Sequence, residues 1–427
     1  MKRNILVFPC GSEIALEIYH SLKYNRHFNL IGASSVNDHG RFVYENYIDT
    51  LPFFDSEDFY SALIKIIAEY EIDAIYPAMD AVAVKLKEIE DVLPCLVIGS
   101  SVLTTAICGS KLLTYQKLQS VVPLPEYVVN VSQITQFPVF IKPAIGYGSR
   151  NQIIANDESE VRSFVSKNPD VELLFCEVLT GLEFTVDCFS NKKFELMYSK
   201  PRLRSRVSNG ISVNTYEYDE HRLKIYDYAK KINDVLRPRG AWFFQMKLDR
   251  HGHPRLLEVA SRLGGSSSLF RMKGVNFAAL TLYDYFDFEV EVLENQYRIE
   301  LDRALSSRYR LEINFEKVYL DYDDCVIIDG KVNSVILAFA YECIASKKGV
   351  FLITRHAGNL DESLKTHRIS EVFDKIIHIT DGSPKSKFIE KANSIFIDDS
   401  HAERSEVYKS LEIPVFSPDM VDALISQ

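Results

Sequence analysis

Twice along this chain, short apolar runs alternate with stretches whose apolar residues recur at helical spacing, a pattern that commits a polypeptide to parallel strands joined by crossover helices. The first tract opens with the run Asn4–Phe8, turns at Gly11 and Ser12, and continues as a helix over 12–22 with Ile14, Leu16, Ile18 and Leu22. Strands over 30–33, 74–77 and 95–98 and helices over 56–70 and 82–92 extend it. The second tract begins at Leu311, with strands expected over 318–320, 350–353, 376–379 and 394–397. Between the two, from Ser110, the strands lengthen and the turns become charged, and 136–151 reads as a glycine-bearing hairpin. A basic connector, 297–310, precedes the second tract. The expected fold class is therefore α/β in three parts: 1–109, an α+β part over 110–297, and a small doubly wound part over 311–427.

Charge and cysteine usage narrow the function. A net charge of −10, with no Lys/Arg block and no zinc-finger spacing, argues against nucleic acid as a partner. Seven cysteines, an odd number without C-x-x-C pairs, suit reduced thiols and a cytoplasmic location. Glu13 interrupts the first apolar run, and no stretch approaches the roughly 18 apolar residues of a membrane span, so neither export nor insertion is expected. Gly11 alone is a weak nucleotide signal, because a strand-to-helix turn needs it without any ligand.

The middle part carries the first chemistry. A buried strand ends in Lys142 and leads into Gly146, Gly148 and Ser149, so backbone N–H groups and a fixed cation converge where phosphate oxygens can sit. Glu177 and Glu183 follow around Gly181, and Lys111 lies upstream. Here the chain resembles the ATP-grasp superfamily, especially its carbamoyl-phosphate-synthase-like carboxylate ligases. The resemblance implies a Rossmann-like pre-ATP-grasp domain over 1–109 and an ATP-grasp domain over 110–297. It gives Glu177 to the segment that holds adenine, Glu183 to the ribose hydroxyls, and Lys111 and Lys142 to the nucleotide phosphates. Gln245, Glu258 and Arg262 match the family's pattern for holding two Mg²⁺ on the triphosphate, with Arg262 at the reacting centre. Ala260 stands where that pattern has Asn, and a methyl group cannot ligate a hard cation. Ser261, a bridging Glu258 or water is left to complete the shell of the second Mg²⁺. Arg202, Arg204 and Arg206 alternate at strand spacing and are expected on one face, either capturing phosphate or an acid, or lining a solvated edge.

The second tract carries four short segments in a fixed order: 320–325 with Asp321 and Asp323, 352–355 with Thr354, 383–387 with Lys385 and Lys387, and 395–400 with Asp398 and Asp399. Two carboxylates two positions apart beyond a strand end can divide phosphoryl transfer between attack and proton handling. The order resembles the haloacid dehalogenase-like (HAD) phosphatases. By that resemblance Asp321 is the nucleophile and Asp323 the general acid/base. Thr354 bonds the phosphoryl group, Lys385 or Lys387 neutralises it, and Asp398 and Asp399, with Asp321 and Asp323, anchor Mg²⁺. Cys325 replaces the more usual Thr. Asp323 to Thr354 and Thr354 to Lys385 each span 31 positions, too few for a cap domain, so a capless site is expected. Together the two resemblances imply a bifunctional enzyme that uses ATP with Mg²⁺, or Mn²⁺ in its place. It would join a small-molecule carboxylate to an amine and hydrolyse a phosphomonoester, its substrates phosphorylated or not. A homodimer is compatible with this. The alternatives are a degenerate ATP-binding module with only the phosphatase active, and a non-catalytic ATP-responsive scaffold.

Overall fold

The strand Arg3–Phe8 has Ile5, Leu6 and Val7 fully buried, as a parallel strand covered on both faces must. In the computed structural model, which describes residues 2–146, 151–218, 224–309 and 311–425, it is the centre of a five-stranded parallel sheet. The order is Asn46–Ile48, Phe28–Ala33, Arg3–Phe8, Ala74–Pro77, Leu96–Val97. Ser12 caps the first helix, Glu13–Leu22, by accepting from the Ala15 N–H, and Ala15, Ile18 and Leu22 pack inward. The edge strand Asn46–Ile48 is absent from the expected list, since three residues give no period to read.

Residues Met1–Leu305 form one unit and Ser306–Gln427 another. The first unit holds two further sheets. A six-stranded antiparallel sheet runs Pro254–Ala260, Gly240–Leu248, Glu183–Ser190, Leu196–Ser208, Ile211–Glu217, Glu300–Asp302. Period-two alternation sorts its faces: Phe184, Val186, Trp242, Phe244 and Met246 pack with the helix Ile225–Leu236, which leaves Glu183, Thr185, Asp187 and Gln245 on the other side. A four-stranded antiparallel sheet, Tyr127–Val128, Leu173–Glu177, Val139–Pro143, Ile153–Ala155, is backed by the helix Glu158–Lys167 through Val161. Its last two strands pair as a hairpin whose second strand, Ile153–Ala155, lies just beyond the 136–151 expected for it, and residues 147–150 between them lie outside the described residues.

Two of the expected boundaries carry contacts. Ile5, Val7 and Ile18 share one core with Phe189, Tyr198, Ala241 and Phe277, so packing is continuous across residue 109. The expected connector 297–310 contributes an edge strand, Glu300–Asp302, whose charged residues hid its pairing with Asn214–Tyr216.

The second unit is a five-stranded parallel sheet in the order Lys375–His378, Gly349–Thr354, Lys317–Leu320, Ser394–Ile397, Val415–Phe416. Between Asp323 and Thr354 lie only a two-stranded ribbon and the helix Ser334–Ala345; between Thr354 and Lys385, the helix Leu360–Thr366 and one strand. Among the described residues, no helix is long and apolar enough to cross a membrane.

Candidate functional site

In the first unit the small sheet and the six-stranded sheet enclose a cleft of ≈ 270 Å³ lined by Lys111, Lys142, Gly146, Glu177, Glu183, Arg204, Gln245, Lys247 and Glu258. Lys111 opens the helix Lys111–Leu118, capped by Ser110, and its Nζ donates to the Gly146 carbonyl at 2.8 Å. Lys142 is buried at the end of its strand, where its Nζ donates to the Tyr115 hydroxyl at 2.8 Å. Burial pulls both ammonium groups below their ordinary values, against Glu258 among other neighbours, so each gains from an arriving anion. Gln245 and Glu258 are direct cross-strand partners, which sets an amide oxygen beside a carboxylate. Both are oxygen donors of the kind a hard divalent cation takes.

Glu183 is engaged by Arg204 at 2.9 Å and by Lys247 at 3.4 Å, and Glu177 accepts from the Glu126 N–H at 3.0 Å. Gly148 and Ser149 lie outside the described residues. Ala260, opposite Phe243, brings no oxygen to this face. Beside Gln245 on the next strand, the Thr185 hydroxyl is buried without a partner among the described residues. Strand period is the one sequence signal that could have put Thr185 on this face; nothing in its type marks it as near a site.

Three of the expected residue sets have partners that the sequence did not show. Arg262 is not among the residues lining the cleft. Its guanidinium forks onto Asp80 at 2.8 and 2.6 Å and donates to the Leu263 carbonyl at 3.1 Å. Asp80 begins a helix just past the parallel strand Ala74–Pro77, and that position at a strand's carboxyl end was the only sequence signal for it. The three arginines do not act as one face, because bulges between Arg204 and Val207 break the alternation. Arg202 is buried against Asp187 at 2.6 Å, Arg204 joins the cleft, and Arg206 pairs with Asp302 at the exposed edge. Asp323 is the third: its carboxylate lies with His356, outside the acidic cluster described next.

In the second unit Asp321, Asp398 and Asp399 follow, and Thr354 ends, three adjacent strands at their carboxyl ends. Oxygens of Asp321, Asp398 and Asp399 lie within 4.8 Å of one another, a hard-oxygen set that fits Mg²⁺. Lys385 is buried among them, its Nζ 2.7 Å from Asp321 Oδ1 and 2.6 Å from Asp398 Oδ2, whereas Lys387 is exposed. Burial, with repulsion from Asp398, pushes the Asp321 carboxyl up to about 6 against the pull of Lys385. Burial likewise raises Asp398, which also accepts from the Ser400 N–H at 2.7 Å.

A small antiparallel sheet closed over a larger one, with cations from the first facing acids on the second, is the ATP-grasp arrangement, and the first unit has that fold. The protein-family model described as "ATP-grasp in the biosynthetic pathway with Ter operon" matches residues 170–305. A D-alanine–D-alanine ligase of Fusobacterium nucleatum subsp. nucleatum is 26% identical over 195 residues, which are 45% of this chain and 58% of that protein. An L-amino acid ligase from Bacillus licheniformis superposes with a TM-score of 0.54 at 18% identity, covering 67% of this chain and 74% of that one. The N5-carboxyaminoimidazole synthetase from Staphylococcus aureus complexed with ADP does so with a TM-score of 0.57 at 13% identity, covering 69% and 80%. The chain spans little more than half of the curated relative, and 28% of a Rhizobium etli pyruvate carboxylase that shares the fold at a TM-score of 0.57.

Proposed function

We propose that the first unit is an ADP-forming ligase that joins a carboxylic acid to an amine, with ATP and Mg²⁺ as its cofactors. The observation that carries this is the cleft itself, where Lys111, Lys142, Glu177, Glu183, Gln245 and Glu258 meet from five strands, one helix and both sheets. The similarity to proteins named D-alanine–D-alanine ligase and L-amino acid ligase supports the acid–amine chemistry. In this reading Lys111 and Lys142 hold the phosphates, Glu177 lies at the adenine and Glu183 at the ribose. Gln245 and Glu258 hold Mg²⁺, which when bound neutralises charge on the triphosphate. The acid's carboxylate oxygen attacks the γ-phosphorus and ADP leaves. The amine nitrogen then attacks the acyl carbon, expels phosphate and loses a proton. Arg262, held by Asp80, steadies charge near the reacting groups.

The second unit, in the same reading, is a capless HAD-like phosphatase. Asp321 attacks phosphorus, Asp323 protonates the leaving oxygen and later deprotonates water, and Thr354 and Lys385 bind the phosphoryl group. Asp321, Asp398 and Asp399 hold Mg²⁺. Ala260 favours a second reading, in which the cleft binds ATP without turning it over. Titration calorimetry with ATP and Mg²⁺ decides the binding step: the wild type binds, and Lys142→Ala weakens binding by about tenfold or more. Equal affinity in the two proteins refutes the site.

A further inference from the structure

A carboxyl group that gives a proton to a leaving group must be held in one orientation, and Asp323 is half-exposed on a turn next to Asp324, whose φ is 54°. His356 supplies the hold. Its Nδ1 lies 2.9 and 3.0 Å from the two Asp323 oxygens, and since a carboxylate only accepts, Nδ1 carries the proton. His356 is itself fixed from three other directions. Its N–H donates to Thr354 Oγ1 at 3.1 Å, and its carbonyl accepts from His378 Nε2 at 2.8 Å. Its ring meets Tyr322 edge to face at 5.1 Å, and the Tyr322 hydroxyl is tied to Ser363 Oγ at 2.7 Å.

One residue therefore links the hydroxyl of Thr354 to the carboxylate of Asp323. No other side chain among the described residues bonds the Asp323 oxygens. We propose that His356 is a positioning residue that aims the Asp323 carboxyl at the leaving-group oxygen during phosphomonoester cleavage. The inference rests on the phosphatase reading of this unit. In the step concerned, the bond from Asp321 oxygen to phosphorus forms as the phosphorus–alkoxide bond breaks, and the Asp323 proton passes to the departing oxygen. An alkoxide needs that proton; a nitrophenolate leaves without it.

The leaving group therefore provides the test. The full chain with Mg²⁺ is assayed on ethyl phosphate and on p-nitrophenyl phosphate. His356→Ala should lower kcat/KM on ethyl phosphate, which reports the steps up to phosphoenzyme formation, by about tenfold or more, within the range a general acid supplies. On p-nitrophenyl phosphate its kcat/KM should change by less than about threefold, whatever becomes of the water-activating step that both substrates share. His356→Asn, whose amide N–H can take the place of Nδ1–H, should recover most of the ethyl phosphate rate. Equal losses on both substrates, or no loss on either, overturn the positioning role while leaving the phosphatase reading intact. A wild type that cleaves neither ester overturns the phosphatase reading and the role with it.

Discussion

Lys385→Ala removes the cation that, alone among the described residues, bonds the buried carboxylates of both Asp321 and Asp398, and the structure sets the size and pH dependence of the damage. The exposures of Lys385, Asp321 and Asp398 are 3%, 11% and 1%, so water cannot replace the lost ammonium. Deleting one partner of such a buried group costs roughly 3–5 kcal/mol. Proton uptake relieves part of this. Asp321 at about 6 and the raised Asp398 already favour the neutral form by burial, and without Lys385 both rise further. The folded variant then keeps protons that the unfolded chain releases near pH 4, so its stability falls as pH rises above that value. Near pH 5 the deficit should be small, and at pH 8 it should reach the full amount, roughly 12–20 °C in melting temperature for a unit of this size. Mg²⁺ should restore more of the loss in the variant than it adds to the wild type, because it returns positive charge to the same oxygens. Calorimetry of the full chain at pH 5 and 8, in chelator and in Mg²⁺, checks all three effects. A variant that melts with the wild type at pH 8 in chelator refutes the argument.

Three further outcomes follow from the same geometry. If Ala260 leaves the cleft short of an oxygen ligand, Ala260→Asn should lower the Mg²⁺ concentration needed for half-maximal ADP formation, and an unchanged requirement would show that another oxygen fills the place. Asp321→Asn, nearly isosteric but not nucleophilic, should abolish p-nitrophenyl phosphate hydrolysis and phosphoenzyme detected by intact mass, and leave the thermal melt near that of the wild type. With the Asp321 carboxyl up at about 6, Mg²⁺ must displace a proton below that pH, so its affinity for the second unit should drop about tenfold between pH 7 and pH 5 by calorimetry.

What sequence made legible was whatever local pattern controls. The parallel strand Ala74–Pro77 and the strand Ser394–Ile397 end where their apolar runs end, and Asp321, Thr354 and Asp398 lie at the carboxyl ends of adjacent strands, with Lys385 on a short turn bonded to Asp321 and Asp398. The choice between Lys385 and Lys387 was not legible, because it depends on which side chain a single short turn buries. Nor were the partners of Arg262 and Asp323. Asp80 lies 182 residues from Arg262, and His356 33 residues from Asp323; only tertiary packing pairs them. The arginine row failed for a different reason: strand spacing presumes an unbroken ladder, and two register shifts sit inside it.

The central claim, that the cleft couples ATP to acid–amine joining, is tested most directly by ADP release from the purified full chain. Panels of small carboxylic acids and amines would be supplied with ATP and Mg²⁺, and Lys142→Ala and Glu258→Ala run in parallel. The account predicts ADP and phosphate that appear only when a matching acid and amine are both present, falling by about 100-fold or more in each variant. ATP bound but never turned over with any pair, or ADP release that persists in both variants, would contradict it.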